Sequence, residues 1–243
     1  MREIVLDTET TGFEPDQGDR IVEIGALELI NHMPTGRTYH QYINPERDMP
    51  EGAFGVHGIG PDLLQPARAP KPGEITLRDK PVFKDVGRAF VEFVGDAKLV
   101  IHNAAFDMKF LNAELRWMGL AELEWARAVD TLAIARQKFP GSPASLDALC
   151  RRFGIDNSER TLHGALLDSE ILAEVYLELL GGQQPDFALS TAAQRGSEGG
   201  QAAPLPRRER VLPKRLTAQE AQDHASFIAG LGDGAVWQRY RKA

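Results

Sequence analysis

Two acids lie two residues apart inside an apolar run, Ile4-Val5-Leu6-Asp7-Thr8-Glu9-Thr10-Thr11-Gly12, and they constrain this chain more than any other feature. Side chains at i and i+2 of a strand share a face, roughly 7 Å apart along it. A buried strand does not place two carboxylates on one face unless something cationic compensates them. Hard divalent cations such as Mg²⁺ or Mn²⁺, which prefer oxygen ligands, are the natural compensation.

Two further segments carry matching chemistry. Lys98-Leu99-Val100-Ile101-His102-Asn103-Ala104-Ala105-Phe106-Asp107 reads as a short strand entering a helix, Ala104 to Met118, with Phe110, Leu111, Leu115 and Met118 at helical spacing. Asn103 suits the N-cap of that helix, and Asp107 falls in its first turn, where an acid also serves as a macrodipole partner. Thr161-Leu162-His163-Gly164-Ala165-Leu166-Leu167-Asp168 leads into an apolar helix through Ile171, Leu172, Val175 and Leu179. His163 on the entry loop and Asp168 on the first turns are both able to aim at one centre. A histidine near neutrality is the usual side chain for taking a proton from water.

Taken together, Asp7-x-Glu9, His102-Asn103-Ala104-Ala105-Phe106-Asp107 and His163-x-x-x-x-Asp168 resemble the three motifs of the histidine-bearing (DEDDh) branch of the DEDD exonuclease superfamily. The words Ala53-Phe54-Gly55-Val56-His57-Gly58-Ile59 and Ser145-Leu146-Asp147-Ala148-Leu149-Cys150 narrow this to the epsilon, or proofreading, subunit family of bacterial DNA polymerase III. The resemblance covers residues 1 to about 182. It implies a ribonuclease-H-like α/β fold, a mixed five-stranded sheet flanked by helices, and a 3′–5′ exonuclease that removes mispaired 3′-terminal nucleotides from DNA. It also implies two divalent ions, Mg²⁺ or Mn²⁺, about 4 Å apart. Asp7 would bridge them, Glu9 and Asp168 would complete one site, Asp107 would support the other, and His163 would be the general base. His57 would contact the terminal nucleotide, Thr10 and the Thr11 backbone would receive the 3′ hydroxyl, and Asn103 would hold substrate or cap its helix. One departure stands out: the acid often found five residues before His57 is Gly52 here, with Glu51 beside it. Asp130 and Asp147, at helix beginnings, are read as caps outside the site, and His32, His40, His102 and His224 receive no role.

The charge balance bears on DNA. Residues 1–180 hold 19 Lys and Arg against 29 Asp and Glu, whereas 181–243 hold 9 against 6, within a net charge of −7. Nucleic-acid affinity normally comes from phosphate neutralisation by basic residues. An acidic nuclease domain therefore depends on metal ions, and on another protein, to hold its substrate. The single cysteine, Cys150, excludes an intrachain disulfide and cysteine-ligated zinc, as expected in a reducing cytoplasm. No run reaches the roughly 18 apolar residues that span a bilayer, and no signal-peptide layout opens the chain.

Three strands are expected at Ile4–Glu9, Arg20–Ile30 and Arg37–Ile43, then a helix at Val82–Val94 and a strand at Leu99–His102. After the Asp107 helix come a strand at Ala128–Asp130 and helices at Thr131–Phe139 and Ser145–Phe153, the last stopped by Gly154. Pro66–Pro81, with four prolines, reads as an irregular insertion. Residues 183–216, rich in Gln, Ala, Gly, Pro and Ser, read as a flexible linker. Residues 217–243 read as a docking tail, a helix from Thr217 with Trp237 and Tyr240 near its end. The resemblance implies that this tail holds the polymerase III alpha subunit, and it brings in a small theta-like subunit. Gln183-Gln184-Pro185-Asp186-Phe187-Ala188-Leu189 loosely resembles a sliding-clamp-binding peptide. Two other readings remain open: a related exonuclease acting on RNA, and an inactive scaffold.

Overall fold

A computed structural model describes residues 1–158, 160, 162–182 and 217–231. The linker segment 183–216, the clamp-like residues 183–189, Trp237 and Tyr240 lie outside the described residues. The chain divides into two units, Met1–Asp186 and Phe187–Ala243.

The first unit is built on a five-stranded mixed sheet in the order β3-β2-β1-β4-β5, as the resemblance implies. β1 (Arg2–Thr10) lies at the centre; β2 (Ile21–Ile30) and β3 (Met33–Tyr42) extend it antiparallel, while β4 (Lys98–Ile101) and β5 (Ala128–Asp130) extend it in parallel. The β2–β3 connection is only Asn31-His32, both with positive φ, the geometry of a tight primed hairpin turn. That turn starts β3 at Met33, four residues earlier than expected.

Alternation along β1 divides the core. Ile4 and Leu6 face one side, packed with Phe83 and Phe90 of α2 (Phe83–Val94) and with Met108, Phe110, Leu111 and Leu115 of α3 (Ala104–Trp117). Val5 faces the other side, with Ala135 of α4 (Thr131–Lys138), Leu149 and Cys150 of α5 (Leu146–Phe153), and Leu172, Val175 and Leu179 of α6 (Ala165–Leu180). Asp7 and Glu9 continue the Val5 side toward the end of the strand. Ser145 caps α5 and accepts from the Ala148 amide, and Gly154 closes it in the left-handed region.

One helix was not legible in the sequence. α1 (Glu51–His57) carries Gly52 and Gly55 in seven residues and sets His57 at its C-terminal end. Two glycines disfavour a helix by about 1 kcal/mol each, so tertiary packing forms it. Nearby, Leu77 of the proline-rich insertion is fully buried against Val22, Met49, Ile59, Leu63 and Leu64. The insertion is therefore anchored, irregular though it is. Asp62 accepts from the Leu77 and Arg78 amides, and Gly60 N–H donates to the Ile75 carbonyl.

In the second unit, α7 (Ala218–Gly230) begins at Thr217 with a reciprocal capping box to Glu220. Among the described residues no helix is long and apolar enough to cross a membrane.

Gly25 decides where α6 sits. A methyl group at this position would collide with the backbone of Ala165 and Leu166. The Ser169 hydroxyl also donates to the Gly25 carbonyl at 2.9 Å. Gly25→Ala is expected to push the α6 N-terminus outward, costing about 1–3 kcal/mol. Thermal unfolding of that variant at unchanged far-UV circular dichroism measures the loss; an unaltered midpoint would mean the approach is not tight.

Candidate active site

All five residues singled out from the motifs line one cleft of about 530 Å³: Asp7, Glu9, Asp107, His163 and Asp168. Three chain segments supply them. Asp7 and Glu9 stand on one face near the end of β1. Asp107 is in the first turn of α3 and Asp168 in the first turn of α6. His163 lies just before α6, where its backbone N–H donates to the Val56 carbonyl at 3.2 Å.

Each placement has a local cause. Asp107 is joined to β1, because one of its carboxylate oxygens accepts from the Thr8 amide at 3.0 Å and from the Thr8 hydroxyl at 2.7 Å. α6 is joined to β2 through Glu23, whose carboxylate accepts from the Ala165 amide at 3.0 Å. Glu23 lies directly across from Glu9 in the β1–β2 ladder. It is therefore a further acid at the cleft edge, occupied with holding α6 and, at 2.7 Å, with His40.

The electrostatics follow from crowding. Burial, followed by the charges of Asp107, Glu9 and Asp168, holds the Asp7 carboxyl well above the usual carboxylate range. Burial and the neighbouring acid Glu23 push Glu9 up to about 8. Burial pushes Asp107 up to about 7 against the two Thr8 hydrogen bonds, which favour its ionised form. Among the described residues, the ion pairs within this cleft go to Asp168 and Asp147, and none goes to Asp7 or Glu9. Glu9, His163 and Asp168 each offer a ligand atom, and these atoms lie within 4.8 Å of one another. Hard oxygen donors, desolvated and converging, with Asp7, Glu9 and Asp107 lacking an ion-pair partner among the described residues, fit a divalent cation.

A second cleft of about 710 Å³ adjoins the first and shares Glu9, Phe13 and Phe106 with it. It is lined by Thr10, Thr11, Gly52 and His57 among others. His57 is 5% exposed. Its Nδ1 accepts from the Ile59 amide at 3.0 Å, and burial lowers its pKa to about 4, so the ring is neutral. The Thr10 hydroxyl donates to the Gly12 carbonyl at 2.6 Å. The Thr11 amide is already donated to the Arg20 carbonyl at 2.9 Å, and its hydroxyl accepts from the Arg20 amide. Thr11 thus shapes the bend that carries Thr10 rather than offering a spare donor. Gly52 lines the cleft with open space at its Cβ position, whereas Glu51 is exposed at the start of α1.

Asn103 corrects one expectation. It occupies the N-cap position of α3 in the left-handed region at φ 66°, and its side chain makes no cap. Its backbone N–H donates instead to Asp130 at 3.1 Å, and its exposed side chain lines the cleft. Asp130 caps α4 as expected. Asp147 differs from its expected place, since it lines the cleft and pairs with Arg160. Arg160 was missed altogether; a basic residue three positions before His163 in an acidic domain was the available signal. His32 and His40 do have acidic partners, Glu3 and Glu23, each at 2.7 Å. Sequence separations of 29 and 17 residues hid those pairs.

Glu9 and Asp107 have folded pKa values above their ordinary ones, so their contribution favours the folded state fully below about pH 4. It is lost as pH rises through about 7 to 8. The metal-free protein should therefore lose thermal stability between pH 5 and pH 8, and Mg²⁺ should restore it. Calorimetric titration near pH 7 in two buffers of different ionisation enthalpy should show protons released on Mg²⁺ binding. Buffer-independent heats would contradict the raised carboxyl values.

Comparison with known proteins places this geometry. The family model described as exonuclease (RNase_T) matches residues 4–176. The chain is 46% identical over 235 residues to the DNA polymerase III subunit epsilon of Rickettsia felis, covering 95% of this chain and 97% of that protein. It is 44% identical over 208 residues to the subunit of the same name from Escherichia coli K12, covering 83% and 80%. The nuclease domain of 3′hExo, a DEDDh family member solved bound to rAMP, shares the fold at a TM-score of 0.57 and 20% identity, over 74% of this chain and 91% of that one. Exonuclease X, solved in complex with 5′ overhanging duplex DNA, shares it at 0.51 and 24% identity, over 73% and 90%.

Proposed function

The chain belongs to the RNase_T exonuclease family and, within it, to the DNA polymerase III epsilon subunits, and from that premise we propose how its residues divide the work of removing a 3′-terminal nucleotide. It is a 3′–5′ DNA exonuclease that proofreads for the replicative polymerase, in association with the polymerase complex. The single observation that carries the assignment of roles is the gathering of Asp7, Glu9, Asp107, His163 and Asp168 around one cleft.

Asp7, Glu9, Asp107 and Asp168 are the residues that would hold two divalent cations, Mg²⁺ or Mn²⁺. When bound, such ions make water a better nucleophile and offset charge on the leaving oxygen. Asp7, on the central strand and raised by the charges of Asp107, Glu9 and Asp168, would be shared between the ions. Asp107 would offer the oxygen that Thr8 does not occupy. His163 accepts the proton of the attacking water; its half-exposed ring can pass that proton on to solvent. His57 and Thr10, with the Thr11 bend behind them, receive the terminal nucleotide, and Asn103 flanks the strand at the cleft mouth.

Selectivity for mispaired ends needs no base-specific contact. A mismatched terminus unpairs at lower cost than a matched one and reaches a single-strand pocket more often. The acidic balance of the nuclease unit supports dependence on a partner for grip on DNA. We assign that docking to residues 217–243, beginning with the capped helix α7, and treat 1–182 as the exonuclease domain.

The test is hydrolysis of a primer with a mispaired 3′ end. His163→Ala should lose on the order of 10²- to 10⁴-fold in rate while Mn²⁺ titration remains saturable. Asp7→Ala should lose both. Normal turnover by His163→Ala would remove its assignment as the base. Truncation after Gly182 should preserve cleavage of a single-stranded 3′ end and abolish co-elution with the polymerase subunit; co-elution retained would move the docking surface onto the nuclease domain.

A further inference from the structure

Arg160 already sits as a cation inside the acid cluster. Its Nε is 2.5 Å from Asp168 Oδ1 and its Nη2 is 2.7 Å from Asp168 Oδ2, so one guanidinium fork takes both carboxylate oxygens. Its Nη1 donates to Asp147 Oδ1 at 2.9 Å, and its Nη2 lies 3.0 Å from His163 Nδ1. The side chain is 8% exposed, and that of Asp168 is 5% exposed. Asp147 is itself held by the Asn157 side-chain amide at 3.0 Å. This is a bidentate, charge-assisted contact fixed from its outer side, unlike an adventitious surface pair.

The same two oxygens are those that Asp168 would present to a divalent ion. The fork takes one lone pair on each oxygen and sets a full positive charge against the carboxylate, so a divalent ion approaching the same two oxygens is opposed by the guanidinium. An arginine does not deprotonate to make room. It must move. We propose that Arg160 is a displaceable counter-cation: it neutralises Asp168 and positions His163 while the cleft holds no metal, and it yields Asp168 when a divalent ion enters. Asp147 gives the guanidinium a second anchor, so that releasing Asp168 does not strand the charge.

This inference rests on the metal-site reading above and goes beyond it in two respects. Metal affinity is set below what the four acids alone would give, because each binding event must break the fork. The metal-free fold, in turn, is spared a fully uncompensated cluster. A permanent structural ion pair would stabilise the fold equally with and without metal, since it would stay in place in both states.

The experiment uses the full chain. Mn²⁺ affinity is measured by calorimetry for wild type and Arg160→Gln, alongside thermal unfolding in chelator and in saturating Mn²⁺. Arg160→Gln should bind Mn²⁺ on the order of tenfold more tightly, as expected for two mutually exclusive cations at one carboxylate. It should also unfold at a lower temperature in chelator, with the difference shrinking in Mn²⁺. Equal or weaker Mn²⁺ binding by a folded Arg160→Gln overturns the proposal. A measurement on wild type covers the case of a variant that does not fold: the Arg160 Nε–H resonance should be slow to exchange with solvent in chelator and fast in saturating Mg²⁺. An unchanged Nε–H under saturating Mg²⁺ also overturns it. If wild type shows no saturable Mn²⁺ binding at all, the metal-site reading fails and takes this proposal with it; saturable binding with an unmoved Arg160 sinks only the displacement.

Discussion

Mutual repulsion among carboxylates at the end of β1 is the condition that the rest of this molecule is built to sustain. Asp7, Glu9, Asp107 and Asp168 share one cleft, with Glu23 at its edge. With Glu9 raised from 4.5 to about 8, its placement costs roughly 3 kcal/mol at pH 7, at about 1.4 kcal/mol per pH unit. Fully burying two large apolar side chains contributes about as much. The two apolar layers, with Phe83, Phe90, Phe110, Ile4 and Leu6 on one side and Leu149, Leu172, Val175 and Leu179 on the other, supply several times that. The sheet can therefore hold the acids where chemistry needs them rather than where electrostatics would put them.

Other buried acids show what ordinary compensation looks like here. Glu114 takes a two-pronged contact from Arg20, at 2.8 and 2.9 Å. Glu28 is matched by Arg2 and Arg37, and Glu3 by Tyr176 and His32. Against these, Asp7 and Glu9 are surrounded by like charge. Asp107, likewise buried, has only the two Thr8 hydrogen bonds, so among the described residues it shares with Asp7 and Glu9 the lack of a cationic ion-pair partner.

Two joints transmit the arrangement. Thr8, between the two acids but on the opposite face of β1, ties Asp107 and thus α3 to the strand. Glu23 and Gly25, on the neighbouring strand, tie the first turn of α6 to the sheet at a distance only glycine permits. Asp107 and Asp168 reach the same cleft from helices on opposite faces because both helices begin at the same edge of the sheet. A small displacement of either helix would change how the four carboxylates converge without altering any of them.

The gathering of the five motif residues at one cleft was legible in the sequence because it depends on residue type at short range. Asp7 and Glu9 share a face by strand periodicity alone, Asp107 lies in the first turn after an apolar strand, and His163 with Asp168 brackets a helix start. The strands and most helices followed from apolar spacing, and the start of α7 at Thr217 from the return of apolar residues after the linker. Contacts made across the fold were not legible. Helix α1 forms despite two glycines because Ala53 and Phe54 pack beside Met49 and Ile59. His32 and His40 found their acids across strands, Leu77 anchored an otherwise irregular insertion, and Asn103 turned its side chain to the cleft. The fork of Arg160 on Asp168 and Asp147 is of the same kind. Sequence sets which groups are available and the local face each occupies; which cation meets which carboxylate is a matter of distances between elements, and only packing of the whole sheet with its helices decides those.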